Sequence, residues 1–254
     1  MSTISAIVLT LNEEKNIEKC LQSLQFCDEV IVVDSGSTDK TVKIAKSFGA
    51  KIFQNIFIDF AKQRQFASTK ATCEWILYID ADEVVSEKCA KKLLDLKNDK
   101  TLGTIVIPRK NFFMGKWIQY GGWYPDWQRR MLRRDKVIFK TKRVHELAEE
   151  IPEVLNLSNE WHKDQVIYHY TYNSLANYLN KLNKYTSLEA KDLQDSLRVK
   201  KRDVLFRSLG MFWQTYFAKK AYRDGIQGFV IAIISMIYSF MLMIKIIELK
   251  KCQK

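Results

Sequence analysis

The feature that most constrains the fold is the alternation of apolar strands with helical segments over the first hundred residues. Residues 5–10, 29–33, 51–54 and 75–79 are short apolar runs, and apolar residues recur at helical spacing between them. Strands this apolar, separated by helices, are typical of a parallel sheet that is covered on both faces. The sequence therefore predicts an α/β domain with a mostly parallel, Rossmann-like sheet flanked by helices.

Polar clusters follow three of these strands. The clusters are Thr10, Asn12 and Glu13; Asp34, Ser35 and Gly36; and Asp80, Ala81 and Asp82. Because ligands of parallel sheets bind at the carboxyl ends of the strands, we expect the clusters to meet at one edge. A structural alternative stays open for each cluster, since core strands need polar ends. In that alternative, Asn12 and Asp82 cap the helices that follow, the second over residues 84–96 with Glu83 in its first turn.

Asp80 and Asp82 could instead meet one ion. Two carboxylates with room for waters and phosphate oxygens suit Mg²⁺ or Mn²⁺, which prefer hard oxygen ligands. A metal in this place would neutralise a departing nucleoside diphosphate. Capping by Asp82 would still leave Asp80 available to the ion.

The net charge of +12 is concentrated after residue 100. The first hundred residues carry 14 Lys and Arg against 15 Asp and Glu, whereas the rest carry 27 against 14. This imbalance indicates an anionic partner in the later part: nucleic acid, a membrane surface or a phosphorylated substrate. The chain has no RNP-like, helix-turn-helix or zinc signature, so we predict that it does not bind nucleic acid. The five scattered cysteines and the N-terminus without a signal-peptide pattern predict a cytoplasmic protein.

The C-terminal part has two apolar features. Residues 229–244 carry no charge, but sixteen residues fall short of the about 20 that span a bilayer. Just upstream, Phe206, Leu209, Trp213 and Phe217 recur at helical spacing beside Lys and Arg, a pattern typical of interfacial helices. A buried core helix and a true span stay open, and we favour peripheral or re-entrant association with the membrane.

The segment between these regions is rich in aromatic residues, glycine and arginine. Trp123 and Tyr124 could stack on a sugar or belong to the core, and Asp126 could cap a helix over residues 127–133. Arg130 and Arg133, with Arg129, could clamp a diphosphate or an anionic acceptor.

Several motifs in order resemble glycosyltransferase family 2, whose members have the GT-A fold. They are residues 7–14 (IVLTLNEE), 32–41 (VVDSGSTDKT) and 78–83 (YIDADE). Residues 121–127 (GGWYPDW), 129–134 (RRMLRR) and 144–146 (VHE) are similar to the lipopolysaccharide-core β-1,4-glucosyltransferase branch. The resemblance implies a nucleotide-sugar half over residues 1–108, an acceptor half over 109–172, and a helical, basic, membrane-associated extension over 173–254.

The resemblance also implies roles for the candidate residues. Thr10, Asn12 and Glu13 would line the nucleotide pocket, and Asp34 would take a uracil imide with Ser35 and Gly36 near the ribose. Asp80, Ala81 and Asp82 would contact ribose and the metal. One carboxylate, Asp126 or Glu146 beside His145, would deprotonate the acceptor hydroxyl in an inverting transfer. The implied donor is UDP-glucose and the implied acceptor a lipopolysaccharide core at the inner leaflet, with polyprenyl phosphate as the alternative acceptor.

Overall fold

A computed structural model describes residues 1–136, 154–155, 161–172, 175–197 and 199–252. The chain forms two compact units. The N-terminal unit comprises Met1–Arg109 and Trp127–His169, and the C-terminal unit comprises Lys110–Asp126 and Tyr170–Lys254. The three functional parts expected from the sequence stay a prediction.

The described strands and helices follow one another as listed here. The strands are β1 (Ile4–Thr10), β2 (Glu29–Asp34), β3 (Lys51–Gln54), β4 (Trp75–Asp80), β5 (Glu83–Val85), β6 (Thr104–Phe113), β7 (Lys116–Trp117), β8 (Asp126–Arg133), β9 (Val154–Leu155) and β10 (Ile167–Tyr172). The α-helices are α1 (Ile17–Ser23), α2 (Thr41–Ser47), α3 (Phe60–Ser68), α4 (Glu87–Leu96), α5 (Leu175–Leu193), α6 (Lys201–Trp213) and α7 (Ile226–Cys252).

The sheet confirms the predicted α/β fold class. Strand β1 pairs in parallel with β2 and β4, and β2 pairs in parallel with β3. Strand β8 adds to β4 in the antiparallel direction, and the order along the sheet is β3-β2-β1-β4-β8-β6-β10-β5. Helices flank this mostly parallel sheet, as the apolar strands predict.

Alternate residues of the central strands enter two separate cores. On β4, for example, Leu77 joins one core cluster, whereas Ile76 joins the other. The first cluster is covered by residues of α1 and α4 that include Leu21 and Leu93, and the second by Ala67 of α3. A strand whose two faces are both buried must be apolar throughout, which explains the uninterrupted apolar runs.

Three predictions of local structure are wrong. Helix α1 begins at Ile17 after Asn16, so Asn12 does not cap it. Strand β5 follows Asp82, and α4 begins later, capped by the Ser86 hydroxyl, which accepts from the Cys89 amide at 3.2 Å. Residues 126–133 form a strand, not a helix that Asp126 could cap.

The physical reason for the third error is tertiary. Ile76 and Leu77 of β4 are register partners of Leu132 and Met131, and these β8 residues enter opposite core clusters. Burial on alternate faces outweighs the local helical appearance of this arginine-rich segment.

The C-terminal unit is built mainly from helices. Helix α7 packs along α5 and α6, and its Ile231 and Ile234 share a small core with Phe113, Ile118 and Leu182. Helix α7 is longer than the uncharged segment that the sequence analysis considered. In the described part of the chain it is the one helix long and apolar enough to cross a membrane, judged by length and composition alone.

Candidate active site

The carboxyl ends of β1, β2 and β4 meet at one edge of the N-terminal unit, as predicted. Thr10 is the register partner of Asp34, and Leu9 is the partner of Asp80. The Ser35 amide donates to the Thr10 carbonyl at 3.0 Å, which continues the strand pairing into the loop. The three polar clusters are therefore neighbours, although long stretches of chain separate them.

The loops after β1 and β2 are tied together at this edge. Asn12, with a φ of 56°, donates its amide to the Ser37 hydroxyl at 2.8 Å, and its side-chain oxygen accepts from the Thr38 amide at 2.8 Å. The Glu13 amide donates to the Thr41 hydroxyl at 2.8 Å. Asn12 and Glu13 thus fix the position of one loop against the other.

Asp34 shapes the loop that follows it. Its carboxylate is fully buried and accepts from the Gly36 and Ser37 amides at 3.1 and 3.0 Å, and from the Ser37 hydroxyl at 2.5 Å. Gly36 has a φ of 101°, which glycine adopts readily. Contact between Asp34 and a uracil stays a prediction, and in this structure the side chain faces its own loop.

Thr10 and Ser35 have different surroundings at the same edge. The Thr10 hydroxyl is buried and has no hydrogen-bond partner among the described residues. The Ser35 hydroxyl accepts from the Gln63 side chain of α3 at 3.1 Å. Buried hydroxyls are usually satisfied, so Thr10 is a candidate for a bond to a ligand.

Glu83, which the sequence analysis assigned to the first turn of a helix, is instead the centre of a buried ion network. Its carboxylate is fully buried on β5 and accepts from Arg109 at 2.8 Å and from Arg130. It also accepts from the Asp80 amide at 3.0 Å. A buried carboxylate needs such partners, and two arginines supply them.

Arg130 connects this buried carboxylate to the exposed edge. It donates to Asp80 at 2.9 Å while also contacting Glu83, and Arg64 lies 3.9 Å from the other Asp80 oxygen. Burial raises the pKa of Asp80, but the positive charges of Arg130 and then Arg64 hold it well below its ordinary value. Of the predicted arginine clamp, Arg130 is thus already engaged with acids of the chain, and Asp80 stays ionised.

Asp82 has a different partner from Asp80. Its carboxylate oxygen lies 3.4 Å from Nε2 of His169, a buried histidine on β10 that is the register partner of Glu83. His169 was not among the predicted site residues, because it lies far along the chain in an aromatic strand. The signal that could have identified it is a histidine inside a strand-like run of aromatic and β-branched residues, 167–172.

In this structure the two aspartates have different partners, and a joint metal role for them stays a prediction. Asp80 is bound by arginine, whereas Asp82 and His169 together present one oxygen and one imidazole nitrogen. Among the residues that the structure describes, no group of three or more His, Cys, Asp or Glu is arranged to hold a metal. Asp82 supplies the kind of oxygen ligand that Mg²⁺ and Mn²⁺ prefer, and both ions commonly complete their shell with water and substrate phosphate oxygens.

The negative field of this edge extends into the core. The buried thiol of Cys20, on α1, donates to the Asp80 carbonyl at 3.6 Å. Burial raises its pKa well above the ordinary value, followed by the charges of Glu83 and Asp82. Cys20 is therefore a neutral core residue and not a nucleophile.

Arg133 is not brought to the acid cluster. It is the register partner of Trp75, at the opposite end of β4 from Asp80. Its Nε donates to the Leu102 carbonyl at 2.9 Å, and its guanidinium lies 4.9 Å from the centre of the Trp75 ring. These contacts are those of a structural residue.

Three further candidates, Trp123, Tyr124 and Asp126, belong to the C-terminal unit. Asp126 accepts from the Asn111 side chain at 2.9 Å, and the same amide group donates to the Trp123 carbonyl at 3.2 Å. Trp123 packs edge-on against Phe113, and Tyr124 against Trp117. Glu146 and His145 lie outside the described residues.

The family model for glycosyl transferase family 2 matches residues 5–151. An uncharacterized glycosyltransferase of Rickettsia typhi, RT0209, is 31% identical over 98% of this chain and 88% of its own length. The chain belongs to glycosyltransferase family 2. As a member of this family it is a transferase.

The chain is also similar to a second glycosyltransferase in sequence and to a solved crystal structure. The lipopolysaccharide core biosynthesis glycosyltransferase LpsC of Rhizobium meliloti is 28% identical over 96% of this chain and 92% of its own length. The crystal structure of glucosyl-3-phosphoglycerate synthase from Mycobacterium tuberculosis matches 76% of this chain and 79% of that chain, with a TM-score of 0.48 and 17% identity.

Proposed function

We propose that this family 2 enzyme transfers a hexose from a nucleoside diphosphate sugar, UDP-glucose in the first place, to a sugar of a lipopolysaccharide or lipooligosaccharide core. The observation that carries the proposal is the pair Asp82 and His169 beside the Arg130-bound Asp80, at the edge where ligands of parallel sheets bind. The acceptor class is supported by the similarity to LpsC over nearly the full length of both chains.

The carboxylates of Asp80 and Asp82 would repel the negative charge of a donor diphosphate unless a cation is bound between them and the diphosphate. Asp82 and His169 would hold Mg²⁺ or Mn²⁺, and the other ligands would come from water and the diphosphate oxygens. When bound, the ion neutralises charge on the departing diphosphate. Asp80, kept ionised by Arg130, would accept hydrogen bonds from ribose hydroxyls.

The reaction is a single displacement with inversion. The acceptor hydroxyl oxygen attacks the anomeric carbon, the new carbon–oxygen bond forms, and the bond to the β-phosphate oxygen breaks. The nucleoside diphosphate leaves with the bonding electron pair, and the hydroxyl proton passes to a carboxylate base. We assign the base to Asp126, which Asn111 orients, with Glu146 as the rival.

The second candidate acceptor is polyprenyl phosphate. It is favoured by the basic C-terminal unit, which would suit a lipid-linked phosphate as well as a phosphorylated core. Both acceptors are amphiphiles of the membrane surface, so we place the enzyme in the cytoplasm, peripherally bound to the inner leaflet of the cytoplasmic membrane.

A panel of nucleotide sugars tests the proposal. The full chain is incubated with UDP-glucose, UDP-galactose or GDP-mannose and with lipid A-core or polyprenyl phosphate, with and without EDTA. We expect transfer from UDP-glucose to lipid A-core that stops when EDTA is added. Transfer only to polyprenyl phosphate would show that this lipid, and not the lipopolysaccharide core, is the acceptor. Sugar transfer that continues in EDTA would contradict the metal role of Asp82 and His169.

A further inference from the structure

The outward face of α6 is apolar, whereas the outward face of a helix in a water-soluble unit is usually polar. Four large apolar side chains recur along it at helical spacing. They are 70%, 50%, 64% and 44% exposed, and they are Phe206, Leu209, Trp213 and Phe217. We call these four residues the α6 stripe. Trp213 and Phe217 pack against each other with ring centres 4.3 Å apart, so the stripe continues into the π-helical turn Gln214–Ala218.

The opposite face of α6, continued by the π-helical turn that follows it, is buried. Val204, Ser208 and Thr215 are buried at 7%, 4% and 3% exposure. The α6 stripe is therefore a second apolar face, beyond what packing against α7 requires. Leaving four large apolar groups in water costs free energy, which burial in an apolar phase would recover.

Basic side chains border the α6 stripe. Those on its flanks and at its ends are all exposed, and they are Arg202, Arg207, Lys219, Lys220 and Arg223. The two acids of this segment serve the protein itself: Asp203 accepts from the Lys200 amide, and Asp224 accepts from the Gln119 and Tyr120 amides. An apolar stripe with basic borders complements an anionic phospholipid surface, where acyl chains lie just below charged headgroups.

The packing of α7 argues against a span as the means of attachment. Lys245 of α7 donates to oxygen atoms of Asn183, Thr186 and Ser187 on α5 at 2.7 to 2.8 Å. Lys250 donates to the Leu197 carbonyl at 2.9 Å. Helix α5 is also charged, with Lys181, Lys184, Glu189, Lys191 and Asp192 along its length. A bilayer-spanning α7 would have to break these contacts or draw the charges of α5 into hydrocarbon.

We propose that the α6 stripe is a membrane-docking surface. Its four side chains insert among the acyl chains of an anionic phospholipid leaflet, its basic borders contact the headgroups, and α7 stays packed on α5. This proposal names the surface by which the enzyme would bind the membrane, and it rests on the proposed function for the identity of that membrane, the inner leaflet. The docking itself is measured without turnover, so failure of docking and failure of sugar transfer are separate results.

The test is vesicle co-sedimentation of the full chain. The vesicles contain phosphatidylethanolamine with 30% phosphatidylglycerol, or phosphatidylcholine alone. We expect binding to the anionic vesicles, weaker binding to phosphatidylcholine and weaker binding again at high salt. The double variant Phe206→Ser/Trp213→Ser should lose about 10-fold or more in apparent affinity, because two apolar groups no longer insert. Arg207→Glu/Lys219→Glu should reduce the preference for anionic vesicles.

The matched control is Ile56→Ser/Ile58→Ser. These isoleucines are 85% and 67% exposed in the N-terminal unit, so the control removes equally exposed apolar groups from another surface. It should bind vesicles like the unchanged protein, and melting temperatures of all variants should stay close together. Unchanged vesicle binding by Phe206→Ser/Trp213→Ser would overturn the proposal.

Two other outcomes would also overturn it. Retention of the protein in membranes after alkaline carbonate extraction would mean that α7 spans the bilayer. A dimer in light scattering that Phe206→Ser/Trp213→Ser turns into a monomer, with vesicle binding unchanged, would mean that the stripe binds a second copy of the chain.

Discussion

The guanidinium of Arg130 donates a hydrogen bond of 2.9 Å to the carboxylate of Asp80. The same group contacts the fully buried Glu83, so one arginine links the core of the N-terminal unit to its acid edge. This link explains how three acids in four positions are tolerated: one is neutralised inside the protein, one is held by arginine at the edge, and one faces histidine. Arg130 therefore connects the stability of the core to the proposed donor site.

Arg130→Met should destabilise the protein strongly. It leaves the buried carboxylate of Glu83 with Arg109 as its remaining arginine partner, and breaking a buried ion pair from one side costs about 3–5 kcal/mol. Urea denaturation measures the free energy of unfolding. Arg134→Met removes an exposed arginine nearby and should change it by less than about 0.5 kcal/mol. The double change Glu83→Gln/Arg130→Met should recover part of the loss, and no recovery would contradict the ion-pair explanation.

Asp82→Asn and His169→Gln should each remove metal-dependent binding of the donor nucleotide. UDP with Mn²⁺ should raise the melting temperature of the unchanged protein, because ligand binding to the folded state stabilises it. In both variants this increase should shrink to the value seen with EDTA. The control Asp95→Asn changes an exposed acid on α4 and should keep the full increase. A full Mn²⁺-dependent increase in Asp82→Asn would argue that the metal is held elsewhere.

The sheet could be predicted from the sequence because its strands are buried on both faces. Strand β4 places Ile76 in one core cluster and Leu77 in the other, so neighbouring residues are both apolar. Such an uninterrupted apolar run predicts a central strand. Turn residues such as Gly36 then place the polar loops at the strand ends. The convergence of Thr10, Asp34 and Asp80 follows from parallel pairing alone.

The contacts within the site could not be predicted, because they depend on antiparallel strands added from later in the chain. Arg130 reaches Asp80 only because β8 pairs with β4, and His169 reaches Asp82 only because β10 pairs with β5. The local sequence around residues 127–133 looked helical, and only tertiary burial makes it a strand. Glu83 was misplaced for the same reason, since its partners Arg109 and Arg130 are distant in sequence.

Asp126→Asn should lower kcat about 10²–10⁴-fold if Asp126 is the base, while UDP binding by thermal shift stays unchanged. Asn111→Ala should give a smaller loss, because it removes the amide that donates to Asp126 at 2.9 Å. Glu146→Gln is the rival variant in the same assay. If Glu146→Gln alone lowers kcat, Glu146 and not Asp126 is the base. If Asp126→Asn and Glu146→Gln both keep full activity, neither residue is the base.

Glu29 lies at the opposite end of the sheet from the acid edge, at the start of β2. It should make the free energy of unfolding depend on pH. Burial raises its pKa, but hydrogen bonds from Lys51, Ser5 and Thr72 outweigh burial and lower it to about 2. A carboxylate with a pKa near 2 in the folded state and about 4.3 in the unfolded state contributes about 3 kcal/mol above pH 5. This contribution is lost as the pH falls towards 2.

Glu29→Gln should therefore reduce the free energy of unfolding by about 3 kcal/mol at pH 7. The difference from the unchanged protein should shrink steadily between pH 5 and pH 2. Urea denaturation at several pH values measures it, with the exposed Glu18→Gln as the control. A difference that is constant with pH would mean that packing, not ionisation, accounts for the effect.

Gly228 and Gly210 provide a matched test of the helical packing in the C-terminal unit. A Cβ added at Gly228 would lie 1.8 Å from the backbone carbonyl oxygen of Ala221, so Gly228→Ala must displace α7. A Cβ at Gly210 on α6 would meet nothing within 4 Å. Gly228→Ala should cost at least about 1–3 kcal/mol, the usual cost of overpacking. Gly210→Ala should stabilise α6 by about 0.5–1 kcal/mol, since alanine is the better helix former. Urea denaturation compares the two, and equal effects would contradict the close approach of α7 to Ala221.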